Sequence, residues 1–451
     1  MTRDILAASL VGLAALLPRL WLLASLPAPG LVADMLDYFD RARFLFEHGR
    51  LFPDAFRVPV YPIAIAGSFA AFGEGLYAPR ILQSAILSAM AVVTFVLARC
   101  FMARRRAVRA GLIVAWYPGL LLYTLYVMAE PLFTLLVLLA MLCATRRGSL
   151  AAMMGAGMFA GLATLTRQAG IAVAAALALW AVFQPSFAGA QVISRRRRLL
   201  LASATLAGVV VVMAPWTLRN YAVFGRWMPL ETTSGITFLM AYYEDATGRY
   251  LISDWETVHQ RYLNDSPEEF SRNALAYRLG FQRIASDPIR IIKLVPRRAG
   301  FLFDLEGREH LWLYTMSYFG PQATWVVRAG GWVIAAAFPL LVLTALISLT
   351  FATSSRSPAE LLVCWVMAMM IVQLLTVYGD PRFHLPLIPL LAIIAVRPWS
   401  PMLAPRSRWR IAAGTIVMGA ALSWWGARLP QQIRSIQQAA APSGWQAHLP
   451  Y

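Results

Sequence analysis

The sequence is poor in charged residues, in lysine and in cysteine. Of its 451 residues, 14% are charged and 59% are hydrophobic, whereas soluble domains are about 25% charged and about 45–50% apolar. This shortage of charge excludes an ordinary soluble domain. The cysteines, Cys100, Cys143 and Cys364, lie in or beside apolar runs without metal-ligand spacing. The sequence therefore predicts neither a disulfide framework nor a zinc site.

Long apolar runs make up most of the chain. Their lengths approach the roughly 20 residues that a helix needs to cross a bilayer. The N-terminal run, too long for a signal peptide, predicts an uncleaved first span. Ten further spans are predicted at 81–101, 110–126, 131–144, 151–166, 171–183, 199–218, 326–351, 361–378, 385–396 and 411–427. We therefore predict an all-α polytopic membrane protein, a single integral domain over residues 1–451 with about eleven transmembrane helices.

The basic residues follow a topological pattern. The net charge is +18, and only Lys293 among the 40 basic residues is a lysine. The arginines cluster in alternate connections, at Arg3, 99–109, 146–147, 195–198, 356 and 397–410. Because cytoplasmic loops are enriched in basic residues, this pattern predicts a plasma-membrane protein with a cytoplasmic N-terminus. It also explains the positive charge without a nucleic-acid partner.

Two longer segments fall on the opposite, outer face. They are a first outer loop, 27–79, and a long outer loop, 219–325. Helical spacing predicts a surface helix from about Asp34 to His48. In the long loop, Ser266, Pro267 and Glu269 resemble a capping box, and Asp287 followed by Pro288 predicts the start of another helix. The outer loops are therefore predicted to carry short helices along the membrane surface.

Charged residues recur at the outer ends of the predicted spans, where neutral residues would suffice. Charges near a membrane usually have a partner or a function. The members of this outer set are Asp34, Asp37, Arg57, Arg80, Glu130, Arg167, Arg219 and Arg382. Any one of them could be a satisfied helix-end charge, but together they predict a polar site on the outer face.

Arginines beside carboxylates suit the chemistry of a lipid-linked phosphosugar. Forked guanidinium groups hold phosphate, and a carboxylate can act as a general base. Since the phosphate is already a good leaving group, one base that deprotonates the acceptor would suffice. The lipid tail would lie between spans.

Several motifs together resemble one family. They are "ADMLDYFDRARFLFEHG", "FRVPVYPIAIAGSFAAFG", "APRILQ", "MAEPLF", "LTRQAG", "PWTLRNYAVFGRW" and "DPRFHLPLIPLLA", in this order. Over about residues 5–400 the chain resembles the GT-C superfamily of polyprenyl-phosphate-sugar-dependent glycosyltransferases, in particular the bacterial protein-mannosyltransferase-like and aminoarabinose-transferase-like enzymes. The resemblance implies a GT-C bundle with an outward-facing site.

The resemblance also implies roles for individual residues. In the family, the catalytic acid lies in an Asp-Glu-x-x-Tyr pattern of the first outer loop; Asp34 and Tyr38 match its ends, Met35 replaces the glutamate and Asp37 is an additional acid. Either Asp34 or Asp37 is the predicted base, and Asp34 is favoured. The predicted ligands of the donor phosphate are Arg80, Arg167 and Arg382. Other positions that match the family motifs are Arg57, Tyr61, Glu130, Arg219 and Asn220.

His384 and the pair Asp34 and Asp37 each have two interpretations. His384 could bind donor or acceptor, or could simply begin a helix. No metal is required, and the histidines show no metal spacing, but Asp34 and Asp37 could hold a divalent cation loosely.

The predicted function is transfer of a sugar, with inversion, from a polyprenyl-phosphate donor to an acceptor on the outer face. The acceptor could be a lipid, a glycan or a protein. A lipid flippase or transporter is the alternative from another class, but transporters tend to have internal repeats and midplane sites, and neither is evident here. A non-catalytic assembly subunit is the third interpretation.

Overall fold

A computed structural model describes residues 2–26, 29–146, 148–183, 193–266, 268–351, 357–397 and 408–448 of the chain. This described part is helical. Its β-structure consists of an isolated bridge between Arg249 and Gly379. The predicted all-α class is therefore confirmed.

Nineteen α-helices follow one another in the described part. The first ten are α1 (Thr2–Ser25), α2 (Asp34–His48), α3 (Val60–Phe72), α4 (Ala78–Arg99), α5 (Arg104–Ala115), α6 (Pro118–Leu122), α7 (Glu130–Ala144), α8 (Leu150–Thr164), α9 (Gly170–Phe183) and α10 (Arg195–Phe224). The others are α11 (Ser234–Tyr242), α12 (Ile252–Val258), α13 (Glu269–Ser286), α14 (Pro288–Leu302), α15 (Arg308–Thr315), α16 (Thr324–Phe351), α17 (Pro358–Thr376), α18 (Leu387–Ala395) and α19 (Arg408–Ala439).

Several of these helices can cross a membrane. By length and apolar composition, five described helices suffice: α1, α4, α10, α16 and α17. Shorter apolar helices are α3, α7, α8 and α9. A helix occupies each of the eleven segments predicted as spans. The chain is thus a multi-pass membrane protein, while the count of eleven spans stays a prediction.

Close packing of α8 against α10 determines the position of the turn that follows α8. Helices α8 and α10 pack together along their lengths, because glycines remove side chains from the contact. A Cβ atom at Gly157 would lie 1.9 Å from the carbonyl oxygen of Thr205, and one at Gly208 would lie 2.2 Å from that of Met154. Small residues allow such backbone approach between membrane helices. The contact fixes the end of α8, from which the 165–169 turn leads into α9.

The surface helices of the outer loops are mostly as predicted. Helix α2 has the predicted bounds and ends at Gly49, whose φ of 63° is readily adopted by glycine. The Asp287 side chain caps α14, as predicted, by accepting a hydrogen bond from the Arg290 backbone N–H. The predicted capping box is wrong: α13 is capped by Glu268 rather than Ser266, and Pro267 lies outside the described residues.

Candidate active site

The first turn of α2 presents two carboxylates to a common partner. Asp34 and Asp37 are three residues apart and therefore lie on one face of the helix. The Arg57 guanidinium bridges them, donating from Nη2 to Asp34 Oδ1 at 2.6 Å and from Nε to Asp37 Oδ2 at 2.9 Å. Asp37 also accepts from Arg41 Nε at 2.9 Å. The two acids are thus held in one cluster but have different second partners.

The backbone just before Asp34 has an unusual conformation. Ala33 has φ 49° and ψ −127°, a region that residues other than glycine rarely adopt. Such a conformation costs about 1–3 kcal/mol and is typically found where surrounding contacts impose it, often at functional sites. Here it turns the chain into α2 so that the first helical residue is Asp34.

Two arginines from distant turns complete the cluster. Arg167 lies in the 165–169 turn, and Arg382 lies in a 3₁₀ turn, Pro381–His384, that follows α17. Arg382 Nη1 donates to Asp34 Oδ2 at 3.2 Å. The backbone N–H of Arg382 donates to the Asp380 side chain at 3.0 Å, which caps the turn and fixes its direction. Asp34 therefore lies between Arg57 and Arg382.

Glu130, at the start of α7, contacts the same two arginines. It is the first residue of α7 and is 1% exposed. Its Oε1 atom lies 2.6 Å from Arg167 Nη1 and 3.3 Å from Arg382 Nε. A buried carboxylate thus holds both guanidinium groups next to each other.

These side chains line a cavity of about 460 Å³. Its charged lining consists of Asp34, Asp37, Glu231, Arg57, Arg167 and Arg382. One wall comes from the end of α17, with Gln373, Leu374 and the following Val377. Because α17 is one of the helices able to cross a membrane, the cavity combines arginines and carboxylates with a border on the apolar part of the protein.

Several lining residues were not identified from the sequence. Glu231 is buried, and its carboxylate accepts from the Val58 N–H at 3.4 Å. The aromatic lining residues are Tyr38, Phe56, Tyr250, Trp255, Tyr378 and Phe383; of these, the sequence analysis named only Tyr38. Phe56 and Phe383 lie in motifs that match the family, each next to a candidate arginine, and Phe383 stands where the family motif has tyrosine. Glu231, Tyr250, Trp255 and Tyr378 lie in connections or a short helix without a periodic pattern, so no sequence signal singled them out.

The structure does not bring Arg80 or Tyr61 to this cavity. The Arg80 side chain is fully buried and donates to the carbonyl oxygens of Leu125, Leu76 and Pro29 at 2.5–2.9 Å. Tyr61 packs edge-on against Tyr38, and the centroids of the two rings lie 5.0 Å apart. Arg80 thus connects backbone segments and does not line the cavity.

Two further predicted residues have structural contacts outside the cavity. Arg219 donates to the carbonyl oxygens of Asp54 and Phe52, at 2.9 and 2.6 Å. The Asn220 amide donates to the carbonyl oxygen of Met228 at 2.8 Å. These bonds connect the end of α10 to the two outer loops, and neither residue lines the cavity.

His384 also lies apart from the cavity. It is fully buried; its Nε2 atom lies 2.9 Å from Glu306 Oε1, and its Nδ1 atom lies 2.8 Å from the carbonyl oxygen of Leu302. Of the two interpretations of His384, these contacts favour a satisfied histidine near the start of a helix.

The carboxylates of the cavity differ in acidity. Burial by itself raises the pKa of Asp34, but the charges of Arg57 and Arg382 outweigh burial and lower this pKa to about 2. Burial raises the pKa of Glu231 despite the opposing charge of Arg57. Since the pKa of Asp34 is depressed, its ion pairs stabilise the fold above about pH 4, and this contribution is lost as the pH falls towards 2. Asp34 is therefore ionised throughout the physiological range.

The cluster is a poor fit for a metal ion. Among the described residues, no group of three or more His, Cys, Asp or Glu side chains is arranged to hold one. Asp34 and Asp37, the predicted pair for a divalent cation, face arginines instead, and Arg57 contacts both. A cation bound by both carboxylates would have to displace the Arg57 guanidinium group.

Comparison with known proteins gives a match in fold. The sequence matches no protein-family model, and no curated protein shows significant sequence similarity. The archaeal oligosaccharyltransferase AglB from Archaeoglobus fulgidus, solved with an inhibitory peptide and a dolichol-phosphate, is 14% identical over 97% of this chain and 56% of its own, with a TM-score of 0.53. ArnT from Cupriavidus metallidurans, solved with undecaprenyl phosphate, is 15% identical over 99% of this chain and 76% of its own, with a TM-score of 0.50.

These matches extend along nearly the whole chain. The chain spans little more than half of the length of the oligosaccharyltransferase and about three quarters of that of ArnT. The predicted resemblance to GT-C glycosyltransferases is thus confirmed at the level of the fold.

Proposed function

We propose that this chain, whose fold is that of GT-C glycosyltransferases, transfers a sugar with inversion from a polyprenyl-phosphate donor to an acceptor at the outer membrane surface. One observation carries the proposal: Arg167 and Arg382 share the buried Glu130, and Arg382 also contacts Asp34, in one cavity bordered by α17. Phosphate ligands, a carboxylate and an apolar wall are the three elements that such a donor and its acceptor need.

The donor phosphate is assigned to the two arginines joined by Glu130. Their guanidinium groups provide several N–H donors in a fixed geometry, which suits the oxygens of a phosphate diester. Leu374 and Val377 of the α17 wall suit the first isoprene units of the lipid. The dolichol-phosphate and undecaprenyl phosphate in the two solved structures support this choice of ligand class.

Asp34 is assigned the role of general base. The acceptor O–H or N–H gives its proton to the Asp34 carboxylate, and the freed electron pair attacks the anomeric carbon. The bond from that carbon to the phosphate oxygen breaks, and its electron pair leaves with the polyprenyl phosphate. Because this is a single displacement from the face opposite the leaving group, the configuration inverts.

Donor binding would also make Asp34 a stronger base. In the lipid-free protein, Arg57 and Arg382 hold its pKa at about 2, which is low for a base working near neutral pH. A phosphate that engages Arg382 competes with Asp34 for this guanidinium group. The pKa of Asp34 therefore rises when the donor is in place, so the base becomes effective only in the loaded enzyme.

A transfer assay with purified full-length protein in nanodiscs tests the proposed function. A panel of radiolabelled polyprenyl-phosphate sugars is incubated with membrane extract as the source of acceptor. We expect label from at least one donor to move into acceptor material, with release of the polyprenyl phosphate. Movement of intact donor between leaflets of proteoliposomes without any transfer would instead support the flippase alternative, and the absence of both would support a non-catalytic subunit.

The proposed orientation places the cavity, with the outer loops 27–79 and 219–325, outside the cytoplasm of a bacterial plasma membrane crossed by about eleven spans. Alternating arginine clusters support it.

In a variant whose three cysteines are replaced by serine, we expect an impermeant maleimide added to whole cells to label Asp265→Cys and not Ser194→Cys. Both positions are exposed, and Ser194 precedes the basic start of α10. The reverse labelling pattern would overturn the orientation.

A further inference from the structure

A second polar cavity lies beside the candidate active site. Its volume is about 270 Å³. Its polar lining consists of Arg249, Asp304, Arg308, Arg428, Gln431, Gln432 and Ser435. Pro381 belongs to its wall, whereas the next residue, Arg382, lines the first cavity. The two cavities are thus neighbours on either side of one turn, with separate sets of arginines.

The walls of this second cavity are fixed by hydrogen bonds between α19 and residues 303–304, which follow α14. Trp425 Nε1 donates to the carbonyl oxygen of Phe303 at 2.7 Å, and Trp424 Nε1 donates to Asp304 Oδ1 at 3.2 Å. These bonds hold α19 against the end of α14. The arginines on the two sides therefore face each other across a preformed space rather than across a loose surface.

Positive charge is in excess in the second cavity. Arg428 Nε donates to Asp304 Oδ2 at 3.0 Å, and Arg308 Nη1 donates to Asp380 Oδ2 at 3.1 Å. Arg249 forms no ion pair within the described part of the chain, and its Nε atom is buried without a hydrogen-bond partner there. The lining of the cavity thus contains three arginines and one aspartate, Asp304.

The pKa of the Arg249 guanidinium group agrees with this excess of positive charge. Burial lowers its pKa, and the charge of Arg308 lowers it further, to about 10. The Asp380 and Asp304 carboxylates oppose these effects without cancelling them. The nearby carboxylates therefore do not offset the burial of this guanidinium group.

We propose that this second cavity is a phosphate-binding site separate from the one next to Asp34. Arg249 and Arg428 supply guanidinium donors, and Gln431 and Ser435 supply neutral ones. A phosphate group matches the excess charge and the forked donors, and a space of this size also admits part of its ester substituent. The phosphate comes either from a phospholipid headgroup or from the free anion.

Site-resolved arginine modification of the full-length protein tests this proposal. Phenylglyoxal reacts with accessible guanidinium groups, and peptide mass spectrometry gives the rate at each arginine. Arg434 is the matched control, because it lies on the same helix, is exposed and lines neither cavity. With inorganic phosphate at about four times its Kd, we expect modification of Arg249 and Arg428 to slow about fivefold, while the rate at Arg434 stays unchanged. Equal slowing at Arg434 would overturn the proposal, and so would a lack of slowing at Arg249 and Arg428 both with inorganic phosphate and with phosphatidic acid in the second arm below.

A second arm distinguishes the two sources of phosphate. The protein is placed in nanodiscs of phosphatidylcholine alone or of phosphatidylcholine with phosphatidic acid, without free phosphate. Protection that appears only with phosphatidic acid assigns the site to a lipid headgroup, and protection only by inorganic phosphate assigns it to the free anion. Protection by neither is evidence against a phosphate site.

Substitutions test the proposal without phenylglyoxal. In equilibrium dialysis with radiolabelled inorganic phosphate, we expect Arg249→Gln to lose one site that Arg434→Gln retains. Arg249 is preferred to Arg428 here because removing Arg428 would leave the buried Asp304 without its ion pair. Two sites are expected in wild type, and Arg382→Gln should lose the other one. Loss of that other site alone, with no change in Arg249→Gln, would contradict the second site without affecting the proposed transferase.

Discussion

Replacing Asp34 with asparagine lowers kcat for sugar transfer by about 10²–10⁴-fold, the range that general-base catalysis contributes. The amide keeps the shape of the side chain but cannot accept the acceptor's proton. Initial rates in the radiolabelled transfer assay measure the loss, and thermal unfolding in detergent checks that the variant is folded.

Two other aspartates of α2 are the matched controls. Asp40 is exposed on the same helix and does not line the cavity, so Asp40→Asn should keep wild-type activity. Asp37 pairs with Arg41 and Arg57 rather than with a proposed phosphate ligand, so Asp37→Asn should lose less activity than Asp34→Asn. Full turnover by Asp34→Asn would show that Asp34 is not the base.

The pH profile separates Asp34 from the buried Glu231. Because kcat/KM reports the ionisations of the free enzyme, a base with a pKa of about 2 gives no loss of kcat/KM as the pH falls from 8 to 5. Burial raises the pKa of Glu231 above its usual value, so kcat/KM governed by Glu231 would fall at a higher pH than kcat/KM governed by Asp34. An acid limb that persists in Asp34→Asn and disappears in Glu231→Gln would assign the base to Glu231.

Replacing Glu130 with glutamine has the second large expected effect. Glu130 is 1% exposed and contacts both Arg167 and Arg382. Removing one partner of a buried ion pair costs about 3–5 kcal/mol, because the remaining charge is left uncompensated. We therefore expect a markedly lower Tm in detergent and, in the protein that remains folded, a higher KM for the donor.

Glu47→Gln is the control for Glu130→Gln. Glu47 pairs with Arg43 at the exposed end of α2, and exposed pairs contribute about 0–1 kcal/mol. Its Tm should therefore stay near the wild-type value. Glu130→Asp, which keeps the charge on a shorter side chain, should lie between the two. A Glu130→Gln protein with wild-type Tm and donor KM would refute the role of Glu130 in holding the arginines.

Local signals in the sequence predicted local structure well. The bounds of α2 follow from its helical spacing, and the start of α14 follows from Asp287 and Pro288. The cap of α13 was missed because Glu268 can accept the same backbone hydrogen bonds as a serine. Apolar runs located helices, but length and composition alone do not decide how many of them cross the bilayer.

The candidate site could be predicted only in part. The outer-face pattern and the motifs identified Asp34, Asp37, Arg57, Arg167 and Arg382, which the structure brings to one cavity. The same reasoning selected Arg80 and Arg219, which donate to backbone carbonyls instead. A sequence reveals which polar residues lie near a membrane surface, but not whether their partners are backbone atoms or a ligand. Glu231 was not predicted as a site residue because a single acidic residue in a connection forms no recognisable sequence pattern.

The pairing of Arg382 with both Asp34 and Glu130 has a consequence for the end of the catalytic cycle. A spent lipid carrier that keeps its phosphate also keeps its attraction for arginine, and tight retention would limit turnover. Here the protein's own carboxylates compete for the same guanidinium group and can reclaim it as the carrier departs. Under the proposed function, Asp34 would also hasten release of the spent carrier by taking back Arg382, whereas the buried Glu130 keeps Arg382 in position.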